Sequence, residues 1–124
     1  MYILITDGRY NPPNTLGVSY RNTSITLFGK AIKTFSGGYN QVSTSTLETG
    51  TLEHELGHLL GLVNLGTPMV TNHADPGNLH HCNNSKCLMY YQAETSQFLG
   101  KFTAASLPTL DANCHNDLIA NGGK

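Results

Sequence analysis

The sequence predicts a small α+β domain. Three observations predict it. Two short β-rich runs, Tyr2–Thr6 and Ser24–Phe28, lie in the first quarter of the chain. A long segment around residues 46–62 carries apolar residues at helical spacing. A second helical pattern occupies 108–120 and is followed by Asn121-Gly122-Gly123, a stop signal. At 124 residues the chain suits one domain, 1–124, with a modest core.

Tyr2–Thr6 (YILIT) is short, apolar and β-rich, which predicts a buried strand. Asp7-Gly8 and Asn11-Pro12-Pro13-Asn14 are turn signals. Residues 16–20 form a second short strand pattern, and Asn22 turns the chain. Ser24–Phe28 alternates polar and apolar residues, as a half-buried strand does. Gly29 then ends that strand or makes a bulge before Ala31 and Ile32. Residues 35–40 read as loop. Ser45-x-x-Glu48 reads as a capping box that starts the main helix near Thr46, the alternative being an ordinary loop serine. Residues 64–80, with Gly66, Pro68, Pro76 and Gly77, read as loop. Residues 82–91 form a tight segment ending in Leu88-Met89-Tyr90-Tyr91, and 92–101 suit either loop or short helix.

The main helix holds the chemistry. His54, Glu55 and His58 form an H-E-x-x-H. Residues four apart lie on one helix face about one turn apart, so both imidazoles can hold one zinc ion. The Glu between them can reach a metal-bound water and act as general base. A surface helix with a polar His-Glu-His patch is the bland alternative. Against it, Leu52, Leu56, Leu59 and Val63 make an apolar stripe roughly opposite the two histidines. One face is thus expected to pack and the other to carry ligands. Gly61 sits where the helix can stop. Gly57 costs about 1 kcal/mol relative to Ala inside a helix, which suggests that something approaches the helix closely there.

Composition narrows the partners. The net charge is −1 and only 12% of residues are charged, with no basic stripe, so nucleic acid is not expected. No apolar run is long enough to span a membrane. The chain runs from Met1 straight into a strand pattern without a secretory signal, while polar residues weighted to Asn, Thr, Ser and Gly favour a secreted or periplasmic setting. Oligomeric state is open. Three cysteines cannot all pair within a monomer. Cys82, Cys87 and Cys114 suit a structural zinc, with Asp117 or His115 as fourth ligand, or a disulfide plus one buried thiol.

His54-Glu55-x-x-His58-x-x-Gly61, followed by Met89 and Tyr91, resembles the metzincin zinc peptidases. The run His81-Cys82-x4-Cys87-x-Met89 is similar to that of the archaemetzincins. The resemblance implies a zinc held by three histidines, Glu55 as general base, and Met89 in a turn beneath the metal. It implies that Tyr91 stabilises the oxyanion. It also implies a mixed sheet whose edge strand holds an extended peptide, with Ser24–Phe28 as that strand, packed on the zinc helix ahead of a C-terminal helix. A second, structural zinc on cysteines is implied too, though Asp117 stands where that subgroup has its last Cys. The clan has a further strand–helix–strand portion upstream, and no counterpart to it is expected from this sequence.

The third ligand departs from the pattern. Asn64, a weak donor, stands where the clan has its third His. An insertion that makes His81 the third ligand is the favoured repair. His73 is the alternative, and His80, Asp75 or no third protein ligand are further ones. A gluzincin-like arrangement would use Glu94 instead, but leaves Gly61 and Met89-x-Tyr91 unexplained. The expected function is hydrolysis of a peptide or protein substrate through a zinc-bound water activated by Glu55. The alternative is a non-catalytic, zinc-stabilised domain that binds peptides.

Overall fold

The computed structural model describes residues 1–96 and 107–123. Among these, a three-stranded mixed sheet and three α-helices make an α+β domain. The strands are β1 (Tyr2–Thr6), β2 (Gly17–Tyr20) and β3 (Ser24–Phe28), in the order β1-β3-β2. β3 pairs parallel with β1, Ser24 opposite Tyr2, and antiparallel with β2, Leu27 opposite Gly17. The alternation in β3 works as its pattern predicts. Ile25 and Leu27 are buried, while Ser24 and Thr26 are half-buried. Arg21 and Asn22 join β2 to β3 with φ of 50° and 53°. They are the central residues of a turn that the Thr23 N–H closes on Tyr20 O at 3.3 Å, and their left-handed backbone matches the right-handed strand twist.

β1 is not the buried strand that its apolar run predicts. Tyr2, Ile3, Leu4 and Ile5 are 48–79% exposed. β1 lies at the sheet edge, and the long helix packs on β2 and β3 instead. An apolar run records a preference for burial, but a covering layer has to be present to satisfy it.

Helix α1 (Gly29–Thr34) occupies the place where a strand stop or bulge is expected. Six residues are too few for a helical period to stand out. It buries Ile32 against the core. Helix α2 (Thr44–Leu59) begins two residues before the expected Thr46. Its N-cap is Ser43, whose Oγ accepts the Thr46 N–H at 3.0 Å, so the Ser45 capping box does not form. α2 also stops three residues before Leu62. Gly61 takes φ +82°, the Gly61 N–H donates to His58 O (3.0 Å) and the Leu62 N–H to Gly57 O (3.1 Å). These two bonds are a Schellman stop. A Cβ on Gly61 would lie 2.9 Å from the Thr67 nitrogen, so space as well as φ demands glycine.

α2 separates two cores. Leu52, Leu56 and Leu59 pack toward Leu16, Ile25, Leu27, Ile32 and Leu47. Val63, past the helix end, leaves that stripe and joins Leu62, Cys82, Cys87, Met89 and Cys114 on the other side. The ligand face of the helix is therefore buried too, with His54 fully buried. Helix α3 (Ala112–Ala120) starts four residues after Pro108, where Asp111 caps it by accepting the Cys114 N–H at 3.0 Å. A 3-10 turn, Tyr91–Glu94, follows Met89. Of the segment 92–101, residues 97–101 lie outside the described residues. No helix among the described residues is long and apolar enough to cross a membrane.

Candidate metal centres

His54 and His58 stand one turn apart on α2, with their Nε2 atoms 3.0 Å apart. His81 comes back to them from the 64–80 loop. That loop folds on itself: the Asp75 N–H donates to His81 O (2.7 Å), and the carboxylate of Asp75 accepts from Gly77 N–H (2.8 Å) and Asn78 Nδ2 (2.9 Å). His81 then stacks on His54 at 5.4 Å between ring centres and meets His58 edge-on at 5.1 Å.

The protons on these rings follow from their partners. His54 Nδ1 is 2.7 Å from Leu88 O, and His81 Nδ1 is 2.9 Å from Leu79 O. A carbonyl only accepts, so each Nδ1 carries the proton and each Nε2 presents a lone pair. His81 Nε2 is buried without a hydrogen-bond partner. Burial pushes the His54 pKa down to about 4, against the pull of Leu88 O. It pushes His58 lower still, aided by His54 and His81, and lowers His81 as well. His54 and His81 thus turn neutral Nε2 lone pairs toward His58, whose own Nδ1 is buried without a partner, and the three imidazoles form a group that could hold a metal ion.

Glu55 sits beside this cluster, fully buried. Ser19 Oγ, from β2, lies 2.6 Å from Glu55 Oε2 and 2.8 Å from Glu55 O, sharing its one proton between them. Glu55 Oε1 has no hydrogen-bond partner. Burial pushes the Glu55 pKa up to about 8, opposed by the Ser19 hydrogen bond and increased by the nearby Glu94. β2 comes this close because residue 17 is glycine. A Cβ there would lie 2.8 Å from Thr51 Cγ2 and 3.1 Å from Glu55 Cγ. β3 is central, so the free sheet edge beside Glu55 belongs to β2 and not to Ser24–Phe28 as expected. A cleft of about 380 Å³ opens over Glu55, His58 and His81, walled by Val18, Ser19, Leu65, His80 and Glu94.

Met89 is fully buried against Gly57 of α2. The close approach that Gly57 suggests is that of the Met89 thioether. Tyr91 lies outside the cleft wall, with its ring on Tyr90 and its Oη accepting from Gln92 Nε2 at 3.2 Å. Asn64 is exposed and takes a left-handed turn. His80 lines the cleft but is exposed.

A second cluster lies in the core that Met89 shares with Leu62 and Val63. Cys82, Cys87 and Cys114 are buried and unpaired. Cys87 Sγ is 3.6 Å from Cys114 Sγ, and Cys114 Sγ is 3.9 Å from His73 Nδ1. Backbone N–H groups point at sulfur: Met89 (3.4 Å) and Asp111 (3.3 Å) at Cys87, and Asn84 (3.5 Å) at Cys82. The Cys114 and Cys82 thiols and the Asp111 and Met89 N–H groups lower the pKa of Cys87 against its burial. His73, offered by the sequence as a third ligand beside His54 and His58, belongs to this cluster instead. Asp117 stands behind it, accepting from His73 Nε2 at 2.8 Å and from the Val70 N–H at 2.7 Å. Asp117 therefore holds His73 from behind and stands outside the second group of donors. His115 is exposed on α3. Asp111 Oδ2 lies 3.5 Å from Cys82 Sγ, but its oxygens already hold the Cys114 N–H and Asn84 Nδ2.

Two groups of donors thus come together, His54, His58, His81 and Glu94 in one and His73, Cys82, Asp111 and Cys114 in the other, with Cys87 against the second. Sequence reasoning missed Ser19 and the assignment of His73 to the cysteines. Ser19 carries no motif, and its role arises from a strand 36 residues away in sequence. Asp117, one turn after Cys114, was the signal that could have pointed to a buried partner such as His73. No protein-family model, curated protein or solved structure matches the chain.

Proposed function

We propose that this chain is a zinc-dependent endopeptidase of metzincin type, with zinc on His54, His58 and His81. The observation that carries the reading is the convergence of three neutral Nε2 atoms beside a buried carboxyl, at the floor of a cleft. Bound zinc supplies a Lewis acid for a peptide carbonyl and lowers the pKa of water to about 7.

The chain's own residues do the rest. Glu55 Oε1, free of any partner, takes a proton from water and passes it to the leaving amine. Ser19 holds Oε2 and so aims the carboxyl. The exposed edge of β2 takes an extended peptide by strand addition, with Val18 and Ser19 along the cleft. His54 and His81 keep their rings in register through Leu88 O and Leu79 O. Tyr91 as oxyanion donor would need to turn from Gln92 toward the cleft.

The second cluster suits a structural zinc on Cys82, Cys87, Cys114 and His73. Donors about 2.3 Å (S) and 2.0 Å (N) from one tetrahedral ion stand roughly 3.5–3.8 Å apart. The 3.6 Å and 3.9 Å separations match two of those six edges, and the donors mutually within 4.8 Å are His73, Cys82, Cys114 and Asp111, so Cys87 has to close in on the ion in place of Asp111. The hydrogen bond from His73 to Asp117 is the usual support for a metal-bound imidazole.

The test is cleavage of a diverse peptide library by the zinc-loaded protein, read by mass spectrometry, beside Glu55→Gln. The parent is expected to cut. The variant should lose activity by at least a hundredfold while keeping its zinc. Zinc binding with no peptide cut by the parent would instead favour the non-catalytic peptide-binding reading.

A further inference from the structure

Glu94 brings a fourth donor to the histidine centre. It ends the 3-10 turn Tyr91–Glu94, and that turn is tied down. Glu94 O accepts the Leu16 N–H at 2.8 Å, Thr95 bridges to Thr15, and Ala93 is fully buried in the first core. The carboxylate thus hangs from a fixed backbone. Its Oε1 lies 3.4 Å from His81 Nε2, and the donor atoms of His54, His58, His81 and Glu94 all fall within 4.8 Å of one another. Among the described residues, the basic side chain that faces it is the neutral His81 ring, not a lysine or arginine.

Donors about 2.0–2.1 Å from one tetrahedral ion stand roughly 3.3 Å apart. The His54–His58 and His81–Glu94 separations, 3.0 Å and 3.4 Å, approximate two opposite edges of that tetrahedron. Catalytic zinc sites keep one position open, whereas closed sites have four protein ligands. Here a carboxylate stands at the open position.

We propose that Glu94 is a fourth, displaceable protein ligand that closes the centre at rest and leaves it when a peptide enters the cleft. The inference rests on the metal reading of the three histidines. Displacement falls to Glu94 because its side chain is 29% exposed and lines the cleft, while that of His81 is 11% exposed and His54 is fully buried. A carboxylate also rotates about more single bonds than an imidazole fixed by its Nδ1–H bond.

The experiment compares the parent, Glu94→Gln, Glu94→Ala and His58→Ala. Each is loaded with Co²⁺ and titrated with azide, followed by visible absorption. Zinc affinity is measured in parallel by chelator competition, and circular dichroism checks that each variant is folded. A closed cysteine site has no open position and does not respond to azide. The expected result is azide binding at least tenfold tighter in Glu94→Ala than in the parent, with zinc affinity about tenfold weaker. Equal azide and zinc affinities in the parent and both Glu94 variants, with metal uptake lost only in His58→Ala, would overturn the role of Glu94 and leave the metal reading standing. Failure of the parent to take up metal in a His58-dependent way would overturn both.

Discussion

The thioether of Met89 lies against the α-carbon of Gly57, on the turn of α2 between His54 and His58. A Cβ at position 57 would overlap the Met89 sulfur and approach its methyl carbon to 3.1 Å. Glycine in mid-helix and methionine after the cysteine segment are thus one contact. It sets how near the segment carrying His81, Cys82 and Cys87 can lie to the helix carrying the other two histidines.

Gly57→Ala separates this contact from helix propensity. Propensity alone predicts that alanine stabilises α2 by about 1 kcal/mol. Overlap with Met89 predicts a net loss of about 1–3 kcal/mol and weaker metal retention, since the methionine segment has to move. Urea unfolding of the parent and the variant decides. A more stable variant with full metal content would show that the contact is not limiting.

Metal content distinguishes the two clusters. Elemental mass spectrometry of the purified protein is expected to find two zinc ions per chain. His81→Ala should lose or weaken one, with the cysteine site intact. His73→Ala should weaken the other. A single zinc that only His81→Ala removes would leave the cysteines to a disulfide or thiol role, and thiol titration would tell which.

Ser19→Ala acts on the base. The Ser19 hydroxyl lies 2.6 Å from Glu55 Oε2 and holds its pKa down against burial. Its removal should push that pKa up, moving the acid limb of the kcat/KM profile to higher pH. Glu55 would also lose its aim, so the plateau should fall roughly tenfold or more. An unchanged profile would mean that Ser19 does not govern the base.

Without metal, Glu55 should leave a signature in stability. Its pKa rises from an ordinary 4.5 to about 8 in the fold, first through burial. The folded chain keeps a proton that the unfolded chain releases, so this contribution is full below about pH 4.5 and is lost as pH rises through 8. Glu55→Gln carries no such proton. In metal-free protein, its stability relative to the parent should grow by up to about 1.4 kcal/mol per pH unit across that window, then level off. Zinc should flatten the difference, because a dication favours the carboxylate. Urea unfolding at pH 5, 6.5 and 8, with and without zinc, measures it. A gap that ignores pH without metal would mean that Glu55 is not desolvated.

The H-E-x-x-H pair, the stop at Gly61, the alternation of Ser24–Phe28 and the C-terminal helix were legible in the sequence. Each depends on residues within a few positions of one another. Helical spacing alone puts His54 and His58 on one face, and a left-handed glycine ends a helix locally. The helix start was misjudged because Ser43 and Ser45 are equally good caps by type, and only the hydrogen bond to Thr46 chooses between them. The six-residue α1 was hidden because its length allows no period.

What the tertiary structure decided concerns partners far apart in the chain. His81 joins His54 and His58, while His73 goes to the cysteines. Ser19 reaches Glu55, Glu94 enters the cleft, and β1 stays uncovered. Both loop histidines have the same donor chemistry, so residue type could not rank them. Their places follow from how the 64–80 loop folds against α2 and α3. Such closures depend on packing between distant segments, which local periodicity does not encode.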